Sequence, residues 1–374
     1  MSRSISRTAA SAVAAILTVA VAIATPASAH HAGGIGNALG AGPIITDPAS
    51  TLDEGHSVAA VTLDYQSLGG LSTQTLLSAT AAMPPGSPES NNVHDLRTIQ
   101  AYAISYAYGV TNDFTVAVRM PYVRRTGIRE AVEQDDGDLE VENFGTADGI
   151  GDLTLFGQYR FFHHNKTELA VLFGLKTPTG RTNDLTQQGQ VFDAEFQPGS
   201  GSWDPLLGLA WTHHEGSWSF DSNVLYTLSN EGTQSTVLGD RFQYNFAVSY
   251  RLTALGSSEH PMFHGATSHE EGDDGHHGHE HGHESTGHES TGPSLDLVLE
   301  LNGEWHAEQV TNGINDPNSG GNTIFLSPGL RLSQDKWSSF VSVGVPVIDN
   351  LNGIQSEPDW RILMGGTLLF EPGS

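Results

Sequence analysis

The stretch Arg241–Leu252, RFQYNFAVSYRL, decides the fold. Phe242, Tyr244, Phe246, Val248, Tyr250 and Leu252 fall on one face of an extended chain; Arg241, Gln243, Asn245, Ser249 and Arg251 fall on the other. Helical spacing would mix the two sets, so period-two alternation predicts a strand. Twelve residues is long for a strand of a soluble protein, where about 5 or 6 is usual.

The pattern recurs along the chain. In GDLTLFGQYRFF, Leu153, Leu155, Tyr159 and Phe161 oppose Asp152, Thr154, Gln158 and Arg160. In LDLVLELNGEWH, Leu295, Leu297, Leu299, Leu301 and Trp305 oppose Asp296, Glu300, Asn302, Glu304 and His306. About twelve such segments begin near Ser57, Thr98, Asp113, Gly151, Thr167, Pro205, Ser217, Asp240, Ser294, Asn322, Lys336 and Asp359. A β-sandwich would hide its apolar faces between short strands. A transmembrane barrel needs strands of ~9–11 residues, apolar outside, polar inside and aromatic at both interfaces. Trp218, Trp305, Trp337 and Trp360 lie near segment ends as that pattern demands. The expected fold is therefore all-β: an antiparallel up-and-down transmembrane barrel of about twelve strands, of the Gram-negative outer-membrane type.

The ends of the chain agree. Arg3 and Arg7, an apolar run from Ala9 to Ala24 and the small residues Ala27-Ser28-Ala29 read as an export signal over residues 1–29. Residues 30–56 are expected as a periplasmic N-terminal segment, 57–370 as the barrel and 371–374 as a tail. Cysteine is absent, and the formal charge is −27, or −29 without the leader's two arginines. Such acidity argues against a nucleic-acid partner; membrane lipid, lipopolysaccharide and a small solute are the expected ones. The oligomeric state is not legible.

In outer-membrane barrels the periplasmic turns are short and the outer loops long. Connections here alternate in that way, with one exception. Residues 253–293 fall by parity on the periplasmic side and carry GHHGHEHGHESTGHE, Gly275–Glu289. With the other short turns and the N-terminal segment (His30, His31 and His56), this side collects 16 of the 18 histidines; only His94 and His306 fall toward the outside. His269, His276, His277, His279, His281, His283 and His288, interspersed with Glu280 and Glu284, are candidate ligands for Zn²⁺, Cu²⁺ or Ni²⁺. The glycines make weak, adaptable binding the expectation, against a solvated, disordered insertion of biased composition. No cofactor is required.

Inward-facing charges read from the alternation include Asp152, Arg160, Glu168, Arg241, Arg251, Asp296, Glu300, Arg331 and Arg361. They either stitch a narrow interior together or line a path for solute. Twelve strands lie between filled eight-strand barrels and open porins of 16–18, so a narrow or plugged pore is expected. Arg124, Arg125 and Arg129 are expected at headgroup level, next to an acidic, hydrated outer rim from Glu130 to Asp148. No G-x-S-x-G occurs, Gly199-Ser200-Gly201-Ser202 has a different spacing, and GGIGNALG lacks the third glycine of a dinucleotide loop. An enzyme is not expected.

GDLTLFGQYRFF, LAVLFGLKTPTGR and FQPGSGSWDPLLGLAW, with the opening GAGPIITDPASTLDEG and the segments YGVTNDFTVAVRMPYVRR and LSPGLRLSQDKWSSFVSVGVPV, together resemble a known group. It is the outer-membrane transporters grouped with the "MetA-pathway of phenol degradation" proteins. The resemblance covers nearly the whole exported chain. It implies a passive channel or transporter, and its name points to aromatic compounds; it supplies no catalytic residue. The alternative is a periplasmic metal-binding module carried on a structural barrel.

Overall fold

Twelve antiparallel strands close into a cylinder. The computed structural model describes residues 42–83, 93–252, 293–334 and 336–373. The strands are β1 (Ser57–Leu68), β2 (Thr98–Thr111), β3 (Phe114–Glu133), β4 (in two parts, Leu139–Ile150 and Thr154–His164), β5 (Thr167–Lys176) and β6 (Asp204–Glu215). They continue as β7 (Trp218–Thr227), β8 (Arg241–Leu252), β9 (Ser294–His306), β10 (Gly321–Gln334), β11 (Trp337–Leu351) and β12 (Pro358–Phe370). Each pairs with its sequence neighbours, and β1 closes the ring on β12 in register from Ser57 opposite Phe370 to Gln66 opposite Arg361. Closure pairs the backbone polar groups between neighbours, which is what a hydrocarbon surround demands. Among the described residues no helix is long and apolar enough to cross a membrane; the crossing is made by strands.

Alternation sorts the two faces. Val61, Ile104, Leu207, Leu299 and Leu368 point outward and are half exposed or more, while Asp64, Gln158, Thr212, Asp221 and Glu300 point inward and are buried. Aromatic side chains gather at both rims. Trp218 packs on Tyr250 (centroids 4.7 Å apart) at the short-turn end, and Trp360 stacks on Tyr65 (4.9 Å) at the other. The short turns are two residues long: Asn165 (φ 53°) and Gly216 (φ 60°) supply the left-handed conformation that tight hairpins require.

Two departures from the expected segments sit at the outer end. The hairpin of β3 and β4 rises well past its neighbours, so Leu139–Ile150 is a strand where a hydrated rim from Glu130 to Asp148 was expected. β4 breaks at residues 151–153, opposite Pro121, which has no N–H for the ladder. Gly151 donates to the Pro121 carbonyl there (2.8 Å), and a Cβ would crowd Pro121 and Val123 at 3.0 and 3.1 Å. The connection between β1 and β2 contains a helix, α1 (Thr73–Ala81), capped by Ser72, whose hydroxyl accepts from Thr75 N–H. Leu76 of this helix packs with Val93 and Ala131 against the tall hairpin.

β8 and β9 end at Leu252 and begin at Ser294 on the short-turn rim. The histidine-rich connection between them, with His269, His276, His277, His279, Glu280, His281, His283, Glu284 and His288, lies outside the described residues, as does the stretch 1–29 expected as an export signal.

Candidate solute site in the barrel lumen

The lumen is not empty. Residues 42–55, expected in the periplasm, turn into the cylinder from its short-turn end and run along the inner wall. Two prolines, Pro43 and Pro48, and the absence of a helical repeat keep this segment extended, so its backbone groups need partners elsewhere. The wall supplies them from side chains. Arg331 donates to Pro43 O (2.7 Å), and Glu300 accepts from Ile45 N–H (3.0 Å) and Thr46 N–H (2.9 Å). Asn223 accepts from Asp47 N–H (3.1 Å), Thr212 from Ala49 N–H (2.8 Å) and Thr115 from Leu52 N–H (2.8 Å). Gln158 donates to Pro48 O and Ser50 O, and Ser50 Oγ donates to Glu168 (2.6 Å). Ile44 is buried against Val298, Phe340 and Leu363.

The inward charges thus take three roles. Glu168, Glu300 and Arg331 grip the segment. The others pair across neighbouring strands: Arg361 with Asp64 (3.0 and 2.6 Å), Arg251 with Asp296 (2.8 and 3.1 Å), and Arg241 with Glu304 (2.9 Å). Arg160 bridges Glu168 and Asp113. Asp152 has a third task. It accepts from Gly180 N–H, Ser200 N–H and the Ser200 hydroxyl (2.8, 2.8 and 2.7 Å), folding the β5–β6 loop inward. The Gly199–Ser202 run is therefore a loop anchor.

Above the segment lies a cavity of about 400 Å³, bounded by the outer halves of the strands and by the outer loops. Its wall mixes apolar groups such as Ile99, Val123 and Phe325 with the charged ends of Arg119, Lys176 and Arg241. That volume is within the range of small-molecule pockets. Both histidines assigned to the outside, His94 and His306, line it. The β5–β6 loop roofs it through Phe196, which with Phe192 packs on Ile128 and Ala147 of the tall hairpin.

The expected arginine row at the outer rim is corrected by this packing. Arg125 is 1% exposed and donates to the carbonyls of Phe196 and Gln197; Arg129 is bound to Asp95 and Leu71 O. Of the three, only Arg124 remains exposed. Glu130 likewise leaves the hydrated rim for a buried site beside His94 (3.1 Å). Burial would lower the His94 pKa, but hydrogen bonds to Asp193, Glu130 and Glu195 outweigh it and hold the group well above its ordinary value.

Sequence reasoning missed the lumenal segment and the His94 cluster. The first had a usable signal: a proline-bearing stretch with no periodicity ahead of strands whose inner faces are rich in polar groups. The second joins His94 to residues 36 to 101 positions away and had none.

Comparison with known proteins is consistent with this architecture. No curated protein matches the chain. Among solved structures, an outer membrane channel from Pseudomonas putida F1 superposes with a TM-score of 0.50 at 16% identity, covering 86% of this chain and 98% of that one. The beta domain of the Bordetella autotransporter BrkA (TM-score 0.41, 9% identity, 85% and 100% covered) and LpxR from Salmonella typhimurium (0.41, 10%, 84% and 100%) are more distant. The first likeness places the fold among outer-membrane barrels. The sequence profile described as "Putative MetA-pathway of phenol degradation" matches residues 85–313, well over half of the chain, and the chain belongs to that family.

Proposed function

We propose that the protein is a passive outer-membrane channel whose outer cavity admits a small solute and whose lumenal segment, residues 43–54, gates the way to the periplasm. The observation that carries this reading is the chemistry of the contact between segment and wall. Strand-to-strand pairing closes the cylinder without the segment, and the segment is held by side-chain hydrogen bonds rather than by a backbone ladder. A segment held in this manner leaves without opening the barrel. The cavity's mixed lining suits a molecule with an apolar body and a polar edge, about the size of a single aromatic ring with its substituents. The family's description, which names phenol degradation, agrees with that class.

A disulfide tests the gate, because the chain contains no native cysteine. Ala49→Cys with Thr212→Cys, at neighbouring positions where Thr212 Oγ1 accepts from the Ala49 backbone N–H (2.8 Å), is the pair to oxidise, tying the segment to β6. Flux of phenol-sized solutes into proteoliposomes should fall to background in the oxidised protein and return on reduction. Equal flux in both states would refute the gate.

A subsidiary reading concerns the histidine-rich connection. Its attachment to the short-turn rim supports display of its imidazoles toward the periplasm, where His276, His277, His279, His281 and His283 would buffer Zn²⁺, Cu²⁺ or Ni²⁺. Arg124, exposed among rim aromatics, is the candidate contact for lipopolysaccharide phosphate. The family and the fold give no support to an enzymatic role.

A further inference from the structure

The roof of the cavity holds one imidazole surrounded by three carboxylates. His94 Nε2 lies 3.1 Å from Glu130 Oε2 and 3.4 Å from Asp193 Oδ2, while its Nδ1 lies 3.2 Å from Glu195 Oε1. The nearest ligand atoms of His94, Glu130 and Asp193 all fall within 4.8 Å of one another. His94 and Glu130 have 7% and 6% of their side-chain surfaces open to solvent. The ring is fixed edge-on to Phe196, with centroids 4.9 Å apart. Asp95, the neighbouring residue, is buried and held by Arg129, Leu71 N–H and the Ser356 hydroxyl, so the strand that presents His94 has a rigid seat.

A single proton on Nε2 cannot serve Glu130 and Asp193 equally, whereas a cation at their centre contacts all three ligands. Ligand bonds of roughly 2.0–2.1 Å in a tetrahedron imply ligand-to-ligand edges of about 3.4 Å. The two edges from Nε2, 3.1 and 3.4 Å, already match that figure. Glu195 completes the arrangement: by accepting from Nδ1–H it orients the ring so that an ion displacing the Nε2 proton meets the lone pair, the usual role of a carboxylate behind a ligating histidine. Arg125, whose charged form Glu195 favours, donates to the loop carbonyls of Phe196 and Gln197. We propose that His94 Nε2, Glu130 and Asp193 bind one divalent transition-metal ion of the Zn²⁺ class, with Glu195 as the positioning residue.

One nitrogen and two carboxylate oxygens favour Zn²⁺, Mn²⁺ or Co²⁺ over Ca²⁺ and Mg²⁺, which prefer shells of oxygen alone. The ligands come from three separate segments: the β1–β2 connection, the tall hairpin and the β5–β6 loop. An ion there ties the roof of the cavity together on its extracellular side. This site is unrelated to the histidines of residues 253–292, so the test must separate the two.

Full-length protein in detergent is titrated with Zn²⁺ by calorimetry, and crystals soaked in ZnCl₂ are examined for anomalous scattering. The expected result is an anomalous peak between His94, Glu130 and Asp193. One binding event should weaken at least about 100-fold in Glu130→Gln with Asp193→Asn, and about 10–100-fold in Glu195→Gln. Binding by the histidine-rich connection persists in every variant. Heat-modifiable migration on gels confirms that each variant is a folded barrel. An unchanged isotherm in the folded double variant, or no peak at the cluster, overturns the proposal.

Discussion

Glu300 shows how much one side chain decides in this lumen. Its carboxylate is 1% exposed and takes two backbone N–H groups from the gating segment. Hydrogen bonds to a charged group contribute about 1.5–3 kcal/mol each at the upper end of measured series. Losing both, about 3–6 kcal/mol together, Glu300→Ala should raise the open population by about 100-fold or more. Planar-bilayer recordings would register this as more frequent openings at unchanged unit conductance. Asp95 makes the same point in the roof, where its carboxylate is fully buried and bound to Arg129. Removing it costs less than the ~3–5 kcal/mol of a fully buried pair, because Arg129 keeps 26% of its side chain in solvent. Asp95→Ala should lose exchange protection in residues 69–83 and 93–97, with the membrane strands unaffected. At this scale little was legible from sequence. The nine inward charges could be named from alternation, but their division into grips on the segment and cross-strand pairs depends on where residues 42–55 run.

Strands were the legible elements, and β8 explains why. Lipid on one side and water on the other force Phe242 to Leu252 into strict alternation. Phe246→Arg puts a charge at mid-membrane on the lipid face and should cost about 2–4 kcal/mol. Asn245→Ala, one residue away on the inner face, loses bonds to Asn223 and Asn302 and should cost only ~1 kcal/mol; urea unfolding of the reconstituted barrel compares them. Where lipid ends, the pattern ends. Leu139–Ile150 rises beyond the neighbouring strands and packs one flank on the β5–β6 loop, so no alternating solvent wrote a period-two signature into it. α1 spans nine residues, too few for a helical repeat to stand out. The outer loop between β9 and β10 adds a pH dependence. Burial raises the Asp316 pKa to about 6, with Asn318 N–H opposing the shift and the charge of Glu195 adding to it. This folded value lies above the unfolded one, so ionised Asp316 opposes the folded loop above pH 6. The penalty fades as pH falls from about 6 toward 4. Amides of residues 307–320 should exchange more slowly at pH 5 than at pH 7.5 after correction for the intrinsic rate. Asp316→Asn should give the protected behaviour at both.

For the whole molecule, the barrel and its contents are thermodynamically distinct. Strand pairing and the lipid face stabilise the cylinder whether or not the lumen is filled, whereas the segment depends entirely on the wall. Deleting residues 43–52 should leave a folded, heat-modifiable barrel and open an aqueous path where the full chain conducts rarely. The charge lining that path sets its selectivity. Carboxylates of Asp64, Asp152, Glu168, Asp204, Asp221, Asp296, Glu300 and Glu304 face cations of Arg119, Arg125, Arg160, Lys176, Arg241, Arg251, Arg331 and Arg361, eight of each. A balanced wall has no ring of one sign to exclude ions of the other, despite the chain's net charge of −27, which resides largely in the connections. A tenfold KCl gradient across a bilayer holding the deletion variant should accordingly give a reversal potential near zero. A strongly cation-selective reading would mean that the acidic loops, not the wall, control entry. A barrel that no longer shifts on heating would mean that the segment is structural and the gate does not exist.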